Sequence, residues 1–125
     1  NQLRIQDRVI GGLRDGLGDA WARTVIIVAT EFGRTVRANG TGGTDHGTGS
    51  ALILAGGALR AGGIVGDWPG LSDGALFEDR DLAPTADIRS VFKGVLRDHM
   101  GLDRAALDTV VFPDSAGVAA YEGLV

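Results

Sequence analysis

Glu31, Asp45 and His46 are the residues of this 125-residue sequence whose types and spacing could do chemistry together. Glu31 directly follows an apolar run, Thr24–Thr30 (TVIIVAT), and Asp45 and His46 come just ahead of a second one, Ser50–Ala55 (SALILA). Two carboxylates and an imidazole can bind a divalent cation, or can act as acid and base. Arg34 carries a planar fork of donors suited to an oxyanion. Gly42, Gly43, Gly47 and Gly49 allow the connecting backbone to turn tightly and to approach a ligand closely. The plainer readings are that Asp45 and His46 hydrogen-bond their own loop, and that Glu31 and Arg34 form a local ion pair worth little if exposed.

The elements that must position these groups are readable from periodicity. Both apolar runs have apolar neighbours on the two pleat faces, as in central parallel strands covered on both sides. A third, weaker strand is expected at Gly63–Val65. Leu3, Ile10, Leu13, Leu17 and Trp21 fall on one side of a helix over 3–21, in which Gly11, Gly12 and Gly16 each cost about 1 kcal/mol relative to alanine. Pro84-Thr85 opens a second helix over 85–99, with Ile88, Val91, Phe92, Val95 and Leu96 as its core stripe and Gly101 near its end. Arg89, Lys93 and Arg97 read as a solvated face of that helix, and His99 as a C-terminal cap. Leu107–Phe112 reads as an edge strand, and 113–125 as a tail without functional signal. Helix followed by strand predicts an α/β fold, a mainly parallel, doubly wound sheet flanked by helices. The two strong strands would be parallel neighbours, although the Glu31–Gly49 connection lacks the helix of the usual crossover. Glu31 would then stand at a strand's C-terminal end, facing the ligand crevice of such sheets.

Composition narrows the functional classes. The 21 glycines cluster without a period, which excludes collagen and indicates tight loops. A net charge of −4 without a basic run gives no electrostatic reason for nucleic-acid binding. With no cysteine, disulfides and thiolate–zinc sites are excluded. Apolar runs such as Val25–Ala29 fall far below the ~20 residues of a membrane span. Phosphate-loop, dinucleotide, nucleophile-elbow and H-E-x-x-H patterns are absent from the sequence. Ser50 and Ser72 have no histidine partner other than His46 for a triad. A start at Asn1 without methionine suggests a processed chain or a fragment.

The stretch ATEFGRTVRANGTGGTDHGTGSALILAGGALRAGGIVGDWPGL at 29–71 resembles the signature of the bacterial domain-of-unknown-function-1501 family. So do DLAPTADIRSVFKGVLRDHMGL at 81–102 and VFPDSA at 111–116. That family is in turn similar to the alkaline phosphatase and sulfatase superfamily, whose members hydrolyse phosphate or sulfate esters with divalent metals. On that pattern Glu31 and Phe32 match an Asp-His ligand pair and His46 a later histidine ligand. A second register sets Asp45-His46 against the pair. Phe32 departs from the pattern, because it cannot ligate. The resemblance implies that residues 1–125 are the C-terminal portion of a larger alkaline phosphatase-like domain and catalytically incomplete alone. Its implied ligands are a divalent metal ion (zinc, calcium or magnesium) and a small anionic ester. The nucleophile and further metal ligands would come from an N-terminal part of the same protein, and a twin-arginine signal on the parent would place it outside the cytoplasm, in the periplasm. In this reading Glu31, Asp45 and His46 hold metal and Arg34 steadies the oxyanion. Exposed apolar surface would favour a homo-oligomer. The alternative is a degenerate, non-catalytic relative in which the same loop binds a ligand or shapes the fold.

Overall fold

Sixteen residues, Gln2–Leu17, form the first helix, α1, in the computed structural model, which describes residues 2–125. A left-handed Gly18 (φ 51°) breaks it, and a 3-10 segment, Gly18–Arg23, leads the chain into strand β1, Ile26–Val28. The chain then makes β2 (Gly33–Arg34), β3 (His46–Gly47) and β4 (Ile53–Ala55) before a long irregular segment. Helix α2 runs over Ile88–Met100 and the short α3 over Arg104–Ala106, continuing as a π turn, Leu107–Val111.

The expected parallel sheet is not what forms. β1 pairs antiparallel with β4, Ile26 opposite Ala55 and Val28 opposite Ile53, and β2 pairs antiparallel with β3. Each sheet has two strands, and neither carries an extensive helical layer. The physical reason lies in the connection. A parallel pair needs a crossover of a dozen or more residues, usually a helix. Here the chain between β1 and β4 folds back on itself at the β2–β3 hairpin, so it returns alongside β1 in the opposite sense. Four residues separate β1 from β2 and five separate β3 from β4. The two ladders therefore belong to one long hairpin arm interrupted by a single extra residue on the return strand, as at a β-bulge.

Other expectations shift with the detail. Gly63–Val65 is not a strand, and Leu107–Phe112 is the π turn and its exit instead of an edge strand. α2 begins later than Thr85: Asp87 is its N-cap, accepting the Arg89 amide at 2.9 Å. It ends at Gly101 (φ 71°), whose amide and that of Leu102 return to the Arg97 and Leu96 carbonyls, so a Schellman-type glycine cap and not His99 closes it. Lys93 is not solvated. It is 1% exposed, and its ammonium donates to Asp108 Oδ1 at 2.5 Å and to the carbonyls of Ser115 and Val118 at 2.7 and 2.9 Å. All three of its donors are engaged.

That clasp gathers the core. Val95 of α2, Leu107 and Leu124 are the buried apolar side chains, and Phe92 meets Phe112 with ring centroids 6.2 Å apart. Gly94 lets the tail lie on α2, since a Cβ there would collide with the Tyr121 carbonyl, and the Tyr121 amide donates to Ser90 O at 2.8 Å. Arg97 bridges Asp98 and Glu122. No helix is long and apolar enough to cross a membrane among the described residues.

Candidate functional site

The β2–β3 hairpin holds most of the residues singled out above. Its strands approach so closely at Gly33 and Gly47 that a Cβ on Gly33 would strike the Gly47 carbonyl and one on Gly47 would lie 2.5 Å from the Arg34 carbonyl carbon. The loop between them is built on Asn39. Its Oδ1 accepts from the Thr41 amide, the Thr41 hydroxyl and the Gly43 amide at 3.1, 2.8 and 3.0 Å, and its Nδ2 donates to Asp45 Oδ1 at 2.9 Å. Asp45 is fixed at its main chain as well, its amide donating to the Thr35 hydroxyl and its carbonyl accepting the Thr35 amide.

A third segment clamps this hairpin. Phe77 and Asp81 exchange backbone hydrogen bonds across a turn in which Glu78 and Asp79 both take left-handed φ, 51° and 54°. The Val36 amide donates to Arg80 O, the Leu82 amide to Arg34 O, and the Gly49 amide to Leu82 O. Asp81, 1% exposed, accepts the Thr48 hydroxyl at 2.9 Å and the Arg80 guanidinium at 2.7 and 3.2 Å through its carboxylate. Hydrogen bonding from Arg80 holds this carboxyl below the usual carboxylate range, against the opposing effect of its burial, with Thr48 adding to the lowering.

Arg34 and His46 are directly opposite each other in register, so their side chains share one face of the hairpin. Phe32, two residues from Arg34, lies on the same face, and its ring stacks on His46 with centroids 4.3 Å apart and planes inclined by 24°. The expected Glu31–Arg34 ion pair is not formed. Among the described residues neither side chain has a charged partner, and both are exposed. Arg34 has one long hydrogen bond, to the Thr35 carbonyl at 3.4 Å.

Glu31, Asp45 and His46 are thus brought to one arm of the chain but not to one point. Asp45 turns to Asn39 while His46 turns to Phe32, as adjacent residues in extended chain face opposite sides. Among the described residues no three His, Asp or Glu side chains converge as a group that could hold a metal ion. The donor types suit a divalent cation, but the arrangement does not bring them together around one point.

The model of a family described as "Protein of unknown function (DUF1501)" matches residues 1–111. The chain belongs to the DUF1501 family. No curated protein and no solved structure matches it. Sequence reasoning about this DUF1501 chain missed Asp81, which locks the hairpin, and Asn39, which shapes its loop. Asn39 followed by Gly40 was a turn signal in plain view. Asp81 had none, because its partner Thr48 lies 33 residues away.

Proposed function

We propose that the Phe32–Arg34–His46 face is the anion-binding corner of a metal-dependent hydrolase of phosphoric or sulfuric esters, related to the alkaline phosphatases and sulfatases. The observation that carries this reading is an exposed guanidinium without a carboxylate partner, set directly across the hairpin from an exposed imidazole. A phosphoryl or sulfuryl group offers a tetrahedral set of anionic oxygens, two of which can accept from an arginine fork in bidentate fashion. His46, steadied by Phe32, is placed to donate to or accept from the same ester. Asp45 and Glu31, together with His46, are of the types that would hold a cation. Asp45 and His46 face opposite sides of the strand, so the two would not share one cation in this arrangement. The remaining ligands and the nucleophile would come from an N-terminal part of the same protein, and the exposed apolar surface of α1 is a face such a part could cover.

A second reading, a relative that binds a ligand without turning it over, is favoured by Phe32. Its ring occupies the flank of His46 where the related enzymes are expected to carry a ligating side chain.

The test is made on the protein carrying the proposed N-terminal part, by measuring bound metal together with hydrolysis of aryl phosphate and aryl sulfate. The expected result is metal-dependent turnover. Arg34→Gln should lower kcat/KM by roughly 10²–10³, the usual loss when a donor to a developing oxyanion is removed, without losing metal. His46→Ala should lose metal and rate while remaining folded. If Arg34→Gln and His46→Ala both turn over normally, the site assignment is wrong. A metal-free parent that binds but does not hydrolyse the ester supports the second reading.

A further inference from the structure

Asn39 is followed by Gly40 in the turn that joins β2 to β3. A glycine, having no Cβ, lets its own backbone nitrogen come closest to the side chain before it. Gly40 is exposed, and among the described residues its amide donates no hydrogen bond. That nitrogen is free to react. The Asn39 amide, by contrast, is held on both sides. The Asp45 carboxylate can only accept, so its 2.9 Å contact fixes Nδ2 toward itself and leaves Oδ1 to face donors. Three of them converge on Oδ1: the Thr41 hydroxyl at 2.8 Å, the Gly43 amide at 3.0 Å and the Thr41 amide at 3.1 Å. Fixed donors at such distances stabilise negative charge developing on a carbonyl oxygen.

From this geometry we infer that Asn39 is a self-modifying site, its side-chain amide lost to attack by the Gly40 nitrogen with the loop's own donors as the oxyanion hole. Solvent base takes the Gly40 amide proton, the nitrogen bonds to Asn39 Cγ, and the C=O electron pair moves onto Oδ1. As that pair returns, the Cγ–Nδ2 bond breaks and Nδ2 leaves as ammonia with a proton from water. The succinimide that remains takes up water at either carbonyl, so amide and water become carboxylic acid and ammonia. One product has aspartate at position 39, which sets a carboxylate against that of Asp45 where a hydrogen bond stood. The other has isoaspartate, whose main chain is one carbon longer. It stretches a turn in which the Asn39 amide donates to Gly43 O at 2.8 Å and the Asn39 carbonyl accepts the Gly42 amide at 3.1 Å. Either product removes the brace that Asn39 gives the hairpin, slowly and irreversibly. This holds whether or not the arm serves an ester hydrolase.

Peptide mapping of the chain aged in mildly alkaline buffer should show position 39 gaining one mass unit, as aspartate and isoaspartate together. The gain should be faster in the folded chain than in the same chain unfolded in guanidinium chloride. A Cβ on residue 40 would meet nothing within 4 Å, and Gly40 is not among the left-handed glycines. Gly40→Ala therefore keeps the loop while crowding the nitrogen, and should slow the reaction roughly tenfold. Thr41→Val removes the 2.8 Å hydroxyl donor. It should slow the folded chain about threefold to tenfold, the worth of one hydrogen bond, and leave the unfolded chain unchanged. Slower modification folded than unfolded overturns the inference, since the loop would then be shielding Asn39. So does a folded Thr41→Val chain that reacts at the parent's rate.

Discussion

Glu78 and Asp79 hold two consecutive left-handed φ angles in the turn that brings Asp81 to the hairpin. Left-handed backbone costs a non-glycine residue roughly 1–2 kcal/mol, and the φ pattern is that of a type I′ turn, which favours Asn-Gly. Asp79→Gly should therefore stabilise the protein by about 1 kcal/mol, read as a higher urea midpoint with an unchanged slope. A lower midpoint would mean that the Asp79 side chain contributes something its geometry does not show. The opposite is expected at Gly47, where a methyl group would meet the Arg34 main chain and lie 2.9 Å from Asp81 Cγ. Gly47→Ala should separate β2 from β3, visible by NMR as loss of the ring-current shift that Phe32 imposes on His46. Residues such as these were legible in the sequence by type and not by role. A glycine announces freedom, but whether it serves a turn or a close approach depends on a strand some fourteen residues away.

At the scale of elements, strand and helix positions were readable because they are local. A run of β-branched residues extends wherever it lies, and a stripe at helical spacing coils. Pairing was not readable, because the direction of β4 relative to β1 is decided by what the intervening chain does, and a glycine-rich loop closed by Asn39 conceals a hairpin. Lys93 failed to declare itself for a related reason. Its helical spacing with Arg89 and Arg97 suggests a wet face, and the carbonyls that capture it come from 22 and 25 residues later. Replacing it by methionine keeps the bulk but leaves Asp108 and two carbonyls without their donor. Breaking a buried pair on one side is strongly destabilising, so Lys93→Met should lower Tm by roughly 10–20 °C. A Tm within 3 °C of the parent would show that the clasp is incidental.

Across the whole molecule, order is unevenly distributed. α2, α3 and the tail share the buried core, whereas α1 has no buried residue and Leu3, at its start, is 69% exposed. A sixteen-residue helix with three interior glycines is marginal without packing, so its amides should exchange far faster than those of α2 in the dilute chain. Acid sensitivity should be concentrated in the ordered half and the clamp. Hydrogen bonds from Lys93 hold the Asp108 carboxyl below its ordinary value, those from Arg97 do so for Asp98 and Glu122, and those from Arg80 for Asp81. Folding thus favours their ionised forms, and near pH 4 the unfolded chain binds more protons. Their contribution is complete above the ordinary carboxylate range and is lost as pH falls below about 4. Thermal melts from pH 7 to 2.5 should be level at first and then fall steeply, and Asp108→Asn should be less stable at neutral pH with a shallower acid decline.

The odd residue between the two ladders acts as a phase mark along the arm. Side chains of an extended strand alternate, so removing one residue from the stretch 50–52 would leave every group upstream in place while turning Ile53, Leu54 and Ala55 through to the opposite surfaces. Substitutions there change what a position carries, but a change in length changes which way the entire return strand looks. Drift in this stretch should therefore be free in letters and strict in spacing.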